Sequence, residues 1–391
     1  MKRIFETGNA AICEGAILAG CSLFAGYPIT PATEIAENML RRLPEEDGFY
    51  LQAEDEIAAL HICNGASLGG LKAMTATSGP GYILFADAFG WALSSEIPVV
   101  IVNSQRVGPV SGITGAPGQG EFYLSRYLAH GGNYETIVLA PASVQEAFLV
   151  TVKAFYLAER FRTPVTILAD QMVTDGWETL LLPETAEDIE EMGLLFWERQ
   201  VHPGPDFYPP TDDIDIPPVV LGHNTGGACS DWTPTLKGHD TEDIELLHQH
   251  AWRLIHKILN HRELIDDAEE WEVDDAEIIL VAYGTPSRVV KSAVAEGRLQ
   301  GVRIGGIRLI SLWPFQDKLF ERKAIYLVIE LNWDGQLVRE VERAARANSV
   351  HFWGRCGELP TVRELLLTAQ QILDGTTISR EAWKTERWSH V

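Results

Sequence analysis

Four segments in the first half of the chain combine reactive side chains with residues that restrict the backbone. They are residues 26–31 (GYPITP), 52–57 (QAEDEI), 75–81 (TATSGPG) and 103–106 (NSQR). Each segment offers a hydroxyl, a carboxylate or a guanidinium group to a ligand. Each segment is also compatible with an ordinary structural role.

The first segment places Thr30 between Pro28 and Pro31. Each proline fixes its own φ and favours extended backbone in the residue before it, so Thr30 lies on a stiff loop with its hydroxyl available. The alternative is a tight turn in which Thr30 or Thr33 caps the following helix. The residue types alone favour neither interpretation.

The second segment carries three acids, Glu54, Asp55 and Glu56, just before a largely apolar helical stretch over residues 57–68. Negative charge is stabilised at a helix N-terminus, and that effect alone explains the three acids. A functional carboxylate is the minority interpretation from these residues taken by themselves.

The third segment ends a short strand in a turn that contains Ser78, Gly79 and Gly81. Small hydroxyl residues and glycines let the backbone approach a cofactor closely, yet a strand-to-helix turn needs the same residues. Taken by itself this segment is a weak indication of a binding site.

The fourth segment places Arg106 after an apolar strand, at the start of a glycine-rich loop that runs to Gly120. An arginine in this position suits bidentate binding of a small carboxylate or phosphate. A salt bridge to a nearby acid is the commoner fate of a single arginine. The glycine patterns of nucleotide-binding loops do not follow a strand here.

The elements that position these residues follow an α/β pattern. Strand-like runs alternate with helical segments over residues 8–170, which predicts a parallel sheet covered on both faces, with ligands at the carboxyl ends of the strands. A second α/β pattern starts near residue 272. We therefore expect three parts: a first domain over 1–180, an acidic Pro-rich linker region over 181–271 and a smaller α/β domain over 272–391.

Composition excludes several classes of protein. The 391 residues include 31 basic and 55 acidic side chains, and the net charge of −24 argues against nucleic-acid binding. Residues 171–275 hold 25 acids and 5 bases, so −20 of that charge lies there. The five cysteines are scattered and His248, His250 and His256 do not share one helix face, so no metal site is predicted. We expect a cytoplasmic protein without membrane spans.

Taken together, the motifs resemble the α subunit of the 2-oxoacid:ferredoxin oxidoreductases, closest to the 2-oxoglutarate type, also called 2-oxoglutarate synthase. The resemblance rests on ordered matches at residues 24–31, 52–57, 75–81, 105–106 and 139–146, and extends to residues 331–337 in the second α/β part. It implies two domains of thiamin-enzyme type, a pyrimidine-binding domain and a transketolase C-terminal-like domain.

The resemblance also implies roles for individual residues. Glu54 would hydrogen-bond the pyrimidine nitrogen of thiamin diphosphate and favour the imino tautomer that deprotonates the thiazolium ring. Thr30 would contact the 2-oxoacid, and Arg106 would pair with its carboxylate. Further cofactor contacts would come from Tyr27, Pro28, Ile29, Ser78 and Gly79.

The chain contains no Gly-Asp-Gly, the motif that characteristically begins a diphosphate and Mg²⁺ site, and no cysteine set for a cluster. The resemblance therefore implies a β subunit that carries the diphosphate site, Mg²⁺ and a [4Fe-4S] cluster, with a possible γ subunit, ferredoxin as electron acceptor and CoA as co-substrate.

The loop after Arg106 departs from the 2-oxoglutarate type, with Ser111 and Thr114 as candidate replacements for a missing hydroxyl contact. Substrate identity therefore stays open between 2-oxoglutarate, branched-chain 2-oxoacids and pyruvate. Two other functions remain: non-oxidative ketol transfer, and a non-catalytic scaffold for redox subunits.

Overall fold

The structure is a computed structural model that describes residues 1–109, 113–200, 206–222, 229–230 and 232–376. Ser111, one candidate for the missing hydroxyl contact, lies outside the described residues.

The strands, numbered in chain order, are β1 (Lys2–Thr7), β2 (Leu23–Gly26), β3 (Phe49–Gln52), β4 (Ala73–Thr77), β5 (Val99–Gln105), β6 (Ile137–Leu139), β7 (Pro164–Asp170), β8 (Trp177–Leu182), β9 (Ala268–Trp271), β10 (Ile278–Tyr283), β11 (Ile304–Leu309), β12 (Ser311–Trp313), β13 (Ile325–Glu330) and β14 (Val350–Gly354). The helices are α1 (Gly8–Leu18), α2 (Thr33–Arg42), α3 (Glu56–Leu68), α4 (Gly79–Tyr82), α5 (Ala86–Ser94), α6 (Phe122–Arg126), α7 (Val144–Phe161), α8 (Gln171–Thr174), α9 (Ala186–Glu191), α10 (Ile244–Leu259), α11 (Pro286–Leu299), α12 (Leu337–Ala345) and α13 (Val362–Leu373).

The larger sheet in the described part of the chain has the order β12-β6-β7-β5-β4-β2-β3. Its strands pair in parallel except for β12, which joins β6 antiparallel from the C-terminal half. Strand β5 is buried along its whole length, as expected for a parallel strand covered on both faces. Its alternating side chains enter two apolar cores, one containing Val100 and Val102 and the other Val99 and Ile101.

The second sheet has the order β14-β13-β10-β11-β9, with only β9 antiparallel among its described strands. Because Leu168 of β7 and Phe122 of α6 share one apolar core with β10 and β13, the two sheets pack against each other. Strands β1 and β8 form a separate antiparallel ribbon that brings residues 177–182 back to the N-terminus.

Helix α7 shows how local sequence sets an element boundary. Residues 144–161 have apolar residues at helical spacing, and the sequence predicts Ser143 as the N-cap with Glu146 at the capping-box position. The Ser143 hydroxyl accepts the Glu146 amide at 3.2 Å, which confirms the predicted N-cap. The expected capping box is not formed, because Glu146 instead accepts the Ala142 amide and pairs with Arg308 of β11. A side chain expected to serve its own helix therefore joins the two halves of the chain.

The acidic midsection packs on the first sheet through a buried ion cluster. Glu96 accepts hydrogen bonds from Arg253 at 2.9 Å and from Lys257 at 2.9 Å, both on α10, and Arg162 lies 3.5 Å away. Arg253 also donates to the backbone oxygen of Thr211, at 2.6 Å. Helix α10 and the segment around residue 211 are thus tied to the β5 side of the first sheet, while the boundaries at 180 and 271 stay predictions.

The α/β class and the parallel sheets are confirmed. Among the described residues, none of the helices combines the length and apolarity that crossing a membrane would require.

Candidate active site

The four sequence segments meet at one edge of the larger sheet. Strands β3, β2, β4 and β5 are adjacent and parallel, so their carboxyl ends deliver residues 53–54, 27–31, 78–79 and 106 to the same side. The Ala53 amide donates to the Gly26 oxygen at 3.0 Å, which sets the first two loops side by side. The topology therefore brings together the residues that the sequence placed far apart.

Arg106 is held against the Thr30 loop. Its side chain donates from Nη1 to the backbone oxygen of Thr30 at 2.5 Å, and the residue is only 6% exposed. Its Nε is buried and has no hydrogen-bond partner among the described residues. Among the described residues, Arg106 forms no salt bridge with an acid, so the salt-bridge interpretation is not supported. A buried guanidinium with an unused donor is suited to an anionic ligand.

Thr30 itself is exposed and does not cap the following helix. Helix α2 begins at Thr33 with Ala32 at the N-cap position, and no side chain supplies the cap hydrogen bond. Tyr27 and Pro28 are exposed and Ile29 is half-buried. The capping interpretation of Thr30 and Thr33 is therefore wrong, and the loop presents its side chains to whatever covers this edge.

The three acids of the second segment have three different environments. Asp55 is the N-cap of α3 and accepts the Ala58 amide at 2.8 Å. Glu56 is buried, and burial raises the pKa of its carboxyl. Glu54 lies before the helix and is exposed. The helix-end explanation accounts for Asp55 and leaves the Glu54 carboxylate available to a ligand.

Ser78 and Gly79 form the strand-to-helix turn after β4. The Ser78 hydroxyl is buried without a hydrogen-bond partner among the described residues, although it occupies the N-cap position of α4. A Cβ on Gly79 would lie 2.6 Å from Oε1 of Glu121. Gly79 is therefore required by the close approach of a carboxyl group, a contact that sequence reasoning did not identify.

Glu121 is a half-buried acid at this edge that sequence reasoning missed. Gln105 donates to its Oε2 at 2.9 Å. Burial raises the pKa of Glu121 to about 7, although the Gln105 hydrogen bond and the charge of Arg106 act in the opposite direction. Its position at the end of the Gly-rich loop after Arg106 was the only signal in the sequence.

Further polar atoms at this edge are buried without partners among the described residues. Both side-chain polar atoms of Asn103 are in this state, together with Ser78 Oγ and Arg106 Nε. Native proteins rarely leave such groups unsatisfied unless water or a ligand completes them. This part of the sheet edge therefore has the polar character of a binding site rather than of a packed core.

Comparison with known proteins connects this geometry to a family. Residues 14–223 match the family model described as pyruvate flavodoxin/ferredoxin oxidoreductase, thiamine diphosphate-binding. Residues 276–365 match the model described as pyruvate:ferredoxin oxidoreductase core domain II.

Among curated relatives, the 2-oxoglutarate synthase subunit KorA of Methanocaldococcus jannaschii is 42% identical over 88% of this chain and 93% of its own length. The ketoisovalerate oxidoreductase subunit VorB of Methanothermobacter marburgensis is 35% identical over 93% of this chain and 96% of its own.

A solved structure, the 2-oxoglutarate:ferredoxin oxidoreductase from Magnetococcus marinus with 2-oxoglutarate, coenzyme A and succinyl-CoA bound, superposes with a TM-score of 0.84 at 29% identity. The alignment covers 94% of this chain and 65% of that chain. A split-gene transketolase in an inactive β4 tetramer gives a TM-score of 0.54 at 12% identity, which shows a shared fold only.

Proposed function

The chain belongs to the 2-oxoacid:ferredoxin oxidoreductase family, and from this premise we propose that it is the α subunit of a 2-oxoglutarate:ferredoxin oxidoreductase. The reaction takes 2-oxoglutarate, CoA and two oxidised ferredoxins. It gives succinyl-CoA, CO₂, a proton and two reduced ferredoxins, each of which accepts one electron. The reverse reaction uses the same groups.

The observation that carries this proposal is the buried Arg106 guanidinium, which forms no salt bridge among the described residues. A guanidinium at 6% exposure without an acid partner among the described residues provides strong attraction for a substrate carboxylate. The Thr30 oxygen accepts a hydrogen bond from Nη1, and Nε remains without a partner among the described residues, so it is available to a ligand. The role of Arg106 is thus to bind the 2-oxoacid and orient its carbonyl group.

The residues at this edge also fit the aminopyrimidine end of thiamin diphosphate. The exposed Glu54 carboxylate, the 41% exposed Tyr27 ring and the buried, unsatisfied Ser78 hydroxyl offer an acceptor, an apolar face and a polar group. When bound, thiamin diphosphate would supply the carbanion chemistry that decarboxylation of a 2-oxoacid requires. Glu54 would hold a proton between its carboxyl group and the pyrimidine nitrogen, which favours the imino tautomer, while Tyr27, Pro28, Ile29 and Gly79 would contact the ring.

The substrate class follows the relatives. Identity to the 2-oxoglutarate synthase subunits reaches 42%, against 35% for the ketoisovalerate oxidoreductase subunit. We therefore place 2-oxoglutarate first and branched-chain 2-oxoacids second.

The remaining parts of the enzyme are proposed to lie on partner subunits. Cys13 and Cys63 are buried in apolar cores, and burial raises the pKa of both thiols to about 12, which disfavours the thiolate that a metal ligand requires. A β subunit would carry the diphosphate site, Mg²⁺ and the [4Fe-4S] cluster, with a possible γ subunit. We expect the complex in the cytoplasm.

The test is an assay of the complex with its β subunit. Wild-type complex should reduce ferredoxin only with CoA and a 2-oxoacid, fastest with 2-oxoglutarate in a panel that includes pyruvate and 2-oxoisovalerate. We expect Glu54→Gln to lower kcat roughly 100-fold or more, because proton transfer contributes that much. Arg106→Ala should mainly raise KM for the 2-oxoacid.

The matched control is Glu46→Gln, which changes an exposed acid outside this edge. Activity within about twofold of wild type for both Glu54→Gln and Arg106→Ala would contradict the site, given that binding or proton-transfer groups contribute far more. Preferred turnover of 2-oxoisovalerate would move the substrate assignment to the branched-chain class.

A further inference from the structure

Gln119 is a buried hydrogen-bonding hub between the two sheets. Its backbone amide donates to Leu331 at 2.9 Å, and its Oε1 accepts the Leu331 amide at 3.1 Å. Its Nε2 donates to Asp170 at 3.1 Å and to the Tyr283 oxygen at 3.1 Å. Its own carbonyl accepts Asn332 Nδ2 at 2.8 Å. The backbone and the side chain of this single residue are therefore both tied to the ends of β7, β10 and β13.

Asp170 extends this hub to the start of α11. Besides Gln119, its carboxylate accepts the Thr285 amide at 2.5 Å, one residue before the helix begins. Gly284 has φ of +58° and leaves no room for a Cβ beside the Asp170 carboxylate. The last residue of a strand in the first sheet thus binds the helix entry of the second α/β unit.

Gln119 is connected to Arg106 because the two ends of the loop after Arg106, residues 106–107 and residues 116–118, pack against each other. The Val107 amide donates to Ala116 at 2.9 Å. A Cβ on Gly118 would lie 2.9 Å from the Arg106 carbonyl oxygen. Gly357 of the second α/β unit donates to Pro117 at 2.9 Å. The backbone at residues 106–107 therefore packs directly against residues 116–118, which lead to Gln119.

We infer that Gln119 is a positioning residue that sets the location of Arg106 relative to the 2-oxoacid by fixing residues 113–121 to the second sheet. This inference rests on the proposed function, because it assigns an indirect role in binding the same substrate carboxylate. Gln119 itself acts through backbone placement. Displacing such a group by a fraction of an ångström is enough to weaken binding of a positioned substrate.

The experiment is a double-mutant cycle in the α–β complex, with Gln119→Met and Arg106→Lys. Gln119→Met keeps the side-chain length and removes its hydrogen bonds, and Arg106→Lys keeps the charge so that activity stays measurable. We expect Gln119→Met to raise KM for 2-oxoglutarate about tenfold while KM for CoA is unchanged. In the Arg106→Lys background the same change should raise KM less than about twofold, because the two residues act as one unit.

The matched control is Gln316→Met, which alters another buried glutamine that donates to the Ser311 and Asp267 oxygens, at 3.0 Å each, away from the Arg106 loop. It should lower the melting temperature of the complex without raising KM. A purely structural role of Gln119 would give the same pattern as this control.

Asp170→Asn is the second variant if Gln119→Met does not assemble, because it weakens the same link with little change in volume. Its KM effect should also disappear in the Arg106→Lys background. Equal KM increases in both backgrounds, or failure of both variants to assemble, would overturn the inference. Turnover of 2-oxoglutarate by the wild-type complex is measured separately. Its absence would contradict the proposed function, whereas normal wild-type turnover with equal KM increases in both backgrounds would contradict only the role of Gln119.

Discussion

The site residues differ in their contact with solvent, and this difference follows their chemistry. Arg106 is buried and oriented by Thr30, so it is prepared for an anion before any partner is present. Glu54 is exposed at the end of the edge strand β3, so its carboxylate needs a covering surface before it can act in a desolvated environment. On the proposed function, this chain supplies the group that binds the substrate carboxylate, and the Glu54 part of the site needs a second surface.

The Glu121 carboxyl makes the free energy of unfolding depend on pH. Its pKa is about 7 in the folded chain, above the ordinary value, so the folded state binds the proton more tightly than the unfolded state. The free energy of unfolding therefore falls as the pH rises from about 4.5 to 7, by up to about 3 kcal/mol. We expect Glu121→Gln to remove this slope.

Thermal unfolding of the purified complex at pH 5 and pH 8 would check this expectation. The stability of Glu121→Gln relative to wild type should be greater at pH 8, where wild type holds an ionised buried carboxylate. The exposed Glu46→Gln variant should show no such pH-dependent difference. Parallel profiles for Glu121→Gln and wild type would contradict the assignment.

At the scale of elements, helix α10 is attached by charge rather than by an apolar face alone. Burial by itself would raise the pKa of Glu96, but Arg162, Arg253 and Lys257 hold it well below its usual range. The stabilisation is therefore present at neutral pH and is lost as the pH falls toward that lowered pKa. The cluster explains how a segment with a net charge of −20 packs stably on the first sheet.

Glu96→Gln should destabilise this attachment strongly, since it leaves the buried guanidinium groups of Arg162 and Arg253 without a carboxylate. We expect a loss of about 3–5 kcal/mol in the free energy of unfolding at neutral pH. Denaturant titration of the complex at pH 7 would measure it, with Glu242→Gln as the control because that acid is exposed just before α10. Equal midpoints for the two variants would show that the cluster does not hold α10.

At the scale of the whole molecule, the two sheets are joined by apolar packing and by buried polar links. Arg308 of β11 is 4% exposed, donates to Glu146 of α7 at 2.8 Å and lies 3.4 Å from Glu269. Together with Gln119 and Asp170, this ion pair fixes the second sheet against the first. The sheet edge that carries the candidate site is therefore linked to the second α/β unit by apolar packing, hydrogen bonds and an ion pair.

Arg308→Met should cost about 2 kcal/mol, because it leaves the partly buried Glu146 without its cation. The matched control is Arg303→Met, which removes an exposed pair with Glu277 and should cost less than about 1 kcal/mol. Added NaCl should weaken the Arg303 contribution and leave the Arg308 contribution nearly unchanged. Denaturation at low and high salt would measure both, and equal losses would contradict the interface role of Arg308.

The sequence by itself determined the family, the α/β class and the segments that carry Thr30, Glu54, Ser78 and Arg106, because motifs and strand-helix alternation are local in the chain. It also identified the N-cap of α7 from neighbouring residues.

Only the tertiary structure showed which groups in each segment already have a structural role and which are left available to a ligand. The environments of Arg106 and Glu54 depend on strand order, which places residues from β2, β3, β4 and β5 side by side although they lie up to about 80 positions apart. Glu121, Gln119 and the Glu96 cluster were not predicted, since a lone acid or amide in a sequence does not reveal how far it is buried or which groups it contacts. Burial and partner geometry arise from long-range packing, and they determine which of these polar residues serve binding and which serve the fold.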